Sequence, residues 1–141
     1  MRYFTKKWFK FINEQKDSSQ IAKAVLFNGD KILLLVSNTI PYKGQLDLPG
    51  GHIQHNEGPL KGLMREIKEE TGLIVTKYHK IHEDDGILFF WALLPQGEIT
   101  LSTEHSAYYL LNIDEIGEKG YKITDSLFNA AKKAYELVQK S

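Results

Sequence analysis

The stretch that decides the reading runs Leu48-Pro49-Gly50-Gly51-His52-Ile53-Gln54-His55-Asn56-Glu57-Gly58-Pro59-Leu60-Lys61-Gly62-Leu63-Met64-Arg65-Glu66-Ile67-Lys68-Glu69-Glu70-Thr71-Gly72-Leu73. Its second half predicts a helix over residues 59–71. Pro59 suits a first helical turn, where its missing N–H has no partner to lose. Leu60, Leu63, Met64 and Ile67 recur at three- and four-residue spacing and build one apolar face. Gly72 follows as a C-terminal stop. Glu66, Glu69 and Glu70 sit at i, i+3 and i+4, so three carboxylates crowd one stretch of surface. Like charges one turn apart oppose a helix by roughly 0.2–0.5 kcal/mol per pair. A basic neighbour or a bound cation offsets that cost, and hard divalent cations prefer oxygen donors. Gly50 and Gly51 lie just before the helix and let backbone approach a ligand without a Cβ in the way.

Either feature alone is ordinary. An acidic helix is usually a solvated face, and Pro-Gly-Gly is usually only a turn. Their joint spacing is more specific: Gly51-x5-Glu57-x7-Arg65-Glu66-Ile67-x-Glu69-Glu70-x-Gly72-Leu73. This resembles the Nudix box, the signature of the Nudix hydrolases, at every defining position. Seven identities and two apolar positions so spaced arise by chance with probability on the order of 10⁻⁷ from average residue usage. Before the turn, Gln45-Leu46-Asp47-Leu48 keeps the acid found in many relatives but has leucine where they carry tryptophan.

The resemblance implies an α/β fold, a Nudix-type α/β/α sandwich with a mixed β-sheet and a catalytic loop and helix. It implies a Mg²⁺- or Mn²⁺-dependent enzyme that cleaves a phosphoanhydride bond in a nucleoside-diphosphate-linked substrate, such as a nucleoside triphosphate or a nucleotide sugar. Glu66 and Glu70 are then the principal metal ligands, with Glu69 as a further ligand or as the group that orients the attacking water. Gly50 completes the metal site through its carbonyl, and Arg65 holds a glutamate in place with its bidentate fork. Glu57 joins that network or meets a second metal through water. Gly51 is conformational and lines the substrate path with Gly50. Relatives differ in which carboxylate is the base, and Glu104, outside the box, is the candidate here. His52, His55, His79, His82 and His105 are expected at the surface, since oxygen donors suit the implied metal better. A Nudix-fold module that binds nucleotide without turnover is the alternative. The proline that some ADP-ribose-cleaving relatives carry about sixteen residues beyond the box is absent, which counts against that subgroup. The tyrosine and the coenzyme A signature of two other subgroups are absent too.

Working outward, residues 21–27 and 31–37 are β-type runs around Asn28-Gly29-Asp30, a hairpin signal. Residues 38–45 read as a loop and 46–48 as extended, because Pro49 disfavours helix at Leu48. Residues 73–78, 87–94 and 107–113 are predicted strands, and 124–139 a closing helix capped by Thr124 or Asp125. The run 87–94 is apolar on both faces, as in a strand covered on both sides. Phe89 and Trp91 alternate with Phe90, so one set faces the core and the other is a candidate wall for a nucleobase pocket.

The 141 residues fit one domain, residues 1–141, with residues 1–18 as an N-terminal extension of unclear role. Lysine plus arginine and aspartate plus glutamate number 18 each, so no net charge draws the chain to nucleic acid or anionic lipid. The chain has no cysteine, which excludes disulfides and thiolate chemistry. No apolar run approaches the roughly 20 residues of a membrane span. The basic, aromatic segment 1–12 is too interrupted by lysine for a signal-peptide core. It reads as an element packed on the domain, or as a membrane-surface segment. A cytoplasmic enzyme acting on a small nucleotide is expected, and a homodimer is left open.

Overall fold

The computed structural model describes residues 20–140. The readings of segment 1–18 therefore lie outside the described residues. The described elements are β1 (Ile21–Asn28), β2 (Lys31–Ser37), β3 (Leu46–Asp47), β4 (Gly50–His52), α1 (Pro59–Thr71), β5 (His79–Asp84), β6 (Ile87–Leu93), β7 (His105–Leu111), α2 (Ile113–Glu118) and α3 (Asp125–Gln139). The strands form one seven-stranded mixed sheet.

The hairpin forms as its Asn-Gly signal requires, with Phe27 opposite Ile32 and Asn28 opposite Lys31. Beyond those pairs β1 and β2 part. β1 takes β4 as an antiparallel neighbour, from Ile21 opposite His52 to Lys23 opposite Gly50. β2 takes β3, with Leu35 opposite Asp47. The Pro-Gly-Gly turn is thus wedged between two diverging strands, and the site opens there. β6 runs parallel to β1 along its outer edge, from Ile21 beside Ile87 to Phe27 beside Leu93. β5 flanks β6, and β7 flanks β2.

Side chains alternate across a strand, so one sheet can bury two faces. Ala22, Ala24, Leu33, Leu35, Leu88 and Phe90 pack under Leu63 and Ile67 of α1. Val25, Phe27, Ile32, Leu34 and Phe89 pack against Ile116 of α2 and Leu127, Ala131 and Ala134 of α3. Two helical layers therefore cover one sheet, and the expected α/β/α sandwich is present. β6 contributes to both clusters, as its doubly apolar sequence required. Among the described residues, no helix is long and apolar enough to cross a membrane.

Three elements differ from expectation. Residues 73–78 form no strand; Leu73 and Val75 are buried and Ile74 is exposed, but the segment lacks a ladder partner. The strand begins instead at His79. β7 starts at His105 and stops at Leu111, because Asn112 caps the short α2. There the Asn112 side chain accepts from Glu115 N while the Glu115 side chain accepts from Asn112 N, a reciprocal capping box. α1 and α3 match the expected helices, with Gly72 left-handed after the first and Thr124 capping the second.

Candidate active site

α1 brings its acidic side to β4. Gly50 has φ 133°, and an added Cβ there would run into the Ala22 carbonyl. At Gly51 a Cβ would stand 2.5 Å from Glu66 Oε1. Only glycines let the helix carboxylates come this close to the strand, the physical reason for Gly-Gly at this turn.

Glu70 is 4% exposed, and its Oε1 accepts the Gly50 N–H at 2.9 Å. Burial outweighs that bond and pushes its carboxyl up to about 7. Glu66 is also shifted upward by burial, against the pull of Arg65, with the charges of Glu69 and Glu104 adding to the rise. Arg65 is the hub. Its Nη2 donates to Glu57 Oε1 at 2.7 Å and to the His52 carbonyl at 3.0 Å. Its Nη1 reaches Glu66 Oε2 and Glu69 Oε1, each at 3.2 Å. The guanidinium therefore holds three glutamates, Glu57 among them, and its bonds draw the Glu57 carboxyl below its usual value.

A cleft of about 480 Å³ brings together Gly50, Gly51, Glu66, Glu70 and Glu104. Glu57, Arg65 and Glu69 do not line it, and the Glu69 side chain is 58% exposed. The aromatic side chains of β6 do not line this cleft, to which the strand gives Ile87. Phe89 is fully buried in the core beneath α3. Trp91 stacks on His79 at 4.2 Å and borders a second cleft with Ile74, Leu93 and Pro95. Packing supports the core reading for Phe89, Trp91 is half-buried at the second cleft, and neither ring lines the cleft of Glu66 and Glu70.

The cleft also holds groups that the sequence reading left without a role. Lys23 Nζ donates to Asp47 Oδ1 at 2.8 Å and to the Leu48 carbonyl at 3.2 Å. Asp47 Oδ2 lies 3.2 Å from His105 Nε2. Burial works to raise the Asp47 carboxyl, but the His105 and Lys23 bonds prevail and hold it below its usual value. His105 is buried, not at the surface as expected, and its Nδ1 has no hydrogen-bond partner among the described residues. The signal was available in β1, where Lys23 interrupts a strand between two alanines. A lysine on a buried strand is rarely placed without a partner.

The donor set suits a hard divalent cation. Burial works against the charge of both Glu66 and Glu70, and an ion beside them would favour the ionised form. Among the described residues no three acidic, histidine or cysteine side chains are arranged to hold an ion by themselves. An open set of two carboxylates leaves room for water and phosphate oxygens, the coordination that Mg²⁺ favours.

Comparison with known proteins identifies the family and the fold. The NUDIX domain family model matches residues 19–132. The chain is 36% identical over 83 residues to an ADP-ribose pyrophosphatase from Methanocaldococcus jannaschii, covering 52% of this chain and 49% of the relative. It is 38% identical over 60 residues to a probable DHNTP pyrophosphohydrolase from Lactococcus lactis subsp. cremoris, covering 43% of this chain and 34% of the relative. The chain thus spans half or less of the length of these curated relatives. A MutT NUDIX hydrolase from Burkholderia pseudomallei has the same fold, with TM-score 0.70 and 21% identity over 82% of this chain and 96% of that one.

Proposed function

The chain belongs to the NUDIX domain family, and on that premise we propose that it hydrolyses a phosphoanhydride bond in a nucleoside-diphosphate-linked substrate, using Mg²⁺ or Mn²⁺. The observation that carries this reading is the pair of carboxylates, half-buried Glu66 and buried Glu70, set against the glycine turn in one cleft. In this reading Glu66 and Glu70 hold the cation, with the Gly50 carbonyl beside them. When bound, the cation neutralises charge on the phosphate oxygens and acidifies a bound water.

The chain's own groups do the rest. Arg65 fixes the Glu66 carboxylate, and Glu69 and Glu57 in turn fix Arg65. Gly50 and Gly51 leave space for the phosphates. Glu104, which lines the cleft and whose charge reaches Glu66, takes the proton of the attacking water. Phosphoryl transfer asks little covalent chemistry of a protein, so positioning and charge stabilisation carry the rate.

The test is a panel of nucleoside triphosphates and nucleotide sugars, including ADP-ribose, assayed for phosphate, pyrophosphate or nucleoside monophosphate release. Turnover with Mg²⁺ or Mn²⁺ that stops in chelator is expected. Full activity in excess chelator would overturn the metal reading. Tight nucleotide binding without turnover would convert the protein into the silent binding module.

A further inference from the structure

The wall of the cleft contributed by the β2–β3 turn differs in chemistry from the wall contributed by α1. It carries Tyr42, the only Phe, Tyr or Trp ring that lines the cleft among the described residues. The residue is 55% exposed, and its ring stacks on no other described aromatic side chain. The turn that carries it is pinned. The Tyr42 carbonyl accepts from Gln45 N at 2.9 Å, the Gln45 carbonyl from Ser37 N at 2.9 Å, and the Ser37 carbonyl from Gly44 N at 2.8 Å. Asn38 fastens the same segment to the next loop, donating from N to the Glu104 carbonyl at 2.9 Å and from Nδ2 to the Thr103 carbonyl at 3.1 Å. An exposed ring on a fixed turn has lost its backbone freedom before any ligand arrives, which is the condition for inexpensive stacking.

Gln45 stands beside it. The residue lines the same cleft and is partly buried, and its side-chain amide makes no hydrogen bond to another described residue. A primary amide presents a donor and an acceptor together, the pattern that meets the edge of a heterocycle in two parallel bonds. A flat apolar face and an unsatisfied amide, in the cleft that holds the acidic cluster, fit a ligand with a planar hydrogen-bonding ring at one end and, at the other, an anionic group that meets the carboxylates through a cation.

We propose that Tyr42 stacks on the nucleobase of the substrate and that Gln45 meets the edge of that base. The proposal rests on the hydrolytic reading for the phosphate end of the ligand only; the ring site stands on the turn itself. Stacking on one aromatic side chain is commonly worth ten-fold or more in affinity.

The experiment is equilibrium titration of AMP, GMP, CMP, UMP and ribose 5-phosphate into the wild-type chain, Tyr42→Ala, Tyr42→Phe and Gln45→Ala. The wild type is expected to bind at least one nucleotide ten-fold or more tightly than ribose 5-phosphate. Tyr42→Ala should lose that preference without weakening ribose 5-phosphate, and Tyr42→Phe should keep it. Gln45→Ala should flatten the ranking among the four bases. A wild type without preference for a base, or a Tyr42→Ala variant that retains it, overturns the ring site. An unchanged ranking in Gln45→Ala overturns the edge contact. These titrations need no turnover, so failure of the hydrolysis assay and failure of this proposal are separate results.

Discussion

Glu70 Oε1 accepts the backbone N–H of Gly50 at 2.9 Å, joining the last turn of α1 to the glycine turn across 20 residues of chain. The bond gives the buried carboxylate one donor. It leaves the group short of the charge partner that burial demands.

Glu70→Gln should therefore abolish most turnover while the fold stays intact. Glutamine keeps the size, the helical preference and the Oε1 that accepts from Gly50. It loses the charge that would fix the cation. A fall in kcat of about 10²–10³ or more is expected at saturating Mg²⁺. A folded variant with near-normal kcat removes Glu70 from the site.

The same residue gives metal-free protein a pH dependence. Folding raises the Glu70 carboxyl from 4.5 to about 7. Below the unfolded value both states hold the proton and nothing is lost. Between the two values the unfolded chain releases its proton first, so stability falls as pH rises, and the full cost is in place above pH 7. That cost is roughly 3 kcal/mol. Denaturant titration in chelator should show Glu70→Gln more stable than wild type by about that amount at pH 8, with the gap closing at pH 4.5. Equal stability of the two at pH 8 rejects the account.

Gly51→Ala tests close approach rather than charge. The new Cβ would press on the Glu66 carboxylate, the end of a side chain that can move. The fold should change by less than about 1 kcal/mol. kcat should fall at least ten-fold, and half-activation should need more Mg²⁺. Unchanged metal dependence would mean that Glu66 does not need its observed position.

Arg65→Lys keeps the charge but cannot fork to Glu57, Glu66 and Glu69 together. Loss of about 1.5–3 kcal/mol of stability is expected, the usual value of charge-assisted bonds, with kcat reduced at least ten-fold. Wild-type kinetics in this variant would show that the hub is structural only.

Glu104→Gln separates the base from the ligands. A 10²–10⁴-fold loss of kcat with Mg²⁺ affinity unchanged is expected of a general base. Glu69→Gln should cost far less, because Glu69 faces Arg65 and solvent. The reverse ranking would move the base back into the box.

The elements that could be read from sequence are those whose signal is local. Asn28-Gly29 marks a turn, Pro59 and Gly72 bracket a helix, and the doubly apolar run from Ile87 needs cover on both faces. Residues 73–78 misled because alternation records burial and not pairing: Leu73 and Val75 face the core from a segment with no ladder. The strand at His79–Asp84 was hidden for the converse reason, an edge strand built of charged and polar residues. α2 carried a readable sign, since Asn112 with Glu115 three residues on is a capping-box pattern. In the site, spacing along one helix placed Glu66 and Glu70 together with Arg65. Lys23, Asp47 and His105 come from three separate strands, so their meeting is a property of sheet register. Hydrophobicity alone does not tell a wall from a core: Phe89 is buried, while Trp91 borders the second cleft.

The segment between β6 and β7 is stitched to the end of α1: Thr100 N donates to the Thr71 carbonyl at 2.9 Å and Ser102 N to the Glu70 carbonyl at 3.3 Å. Two residues later the Glu104 carbonyl is held by Asn38. The number of residues from Thr100 to Glu104 is therefore not free to vary. A loop transplanted here from a relative of different length would have to break a stitch, moving the proposed base relative to the helix. Changes of reactivity by exchange of this loop should arise through replacement at constant length.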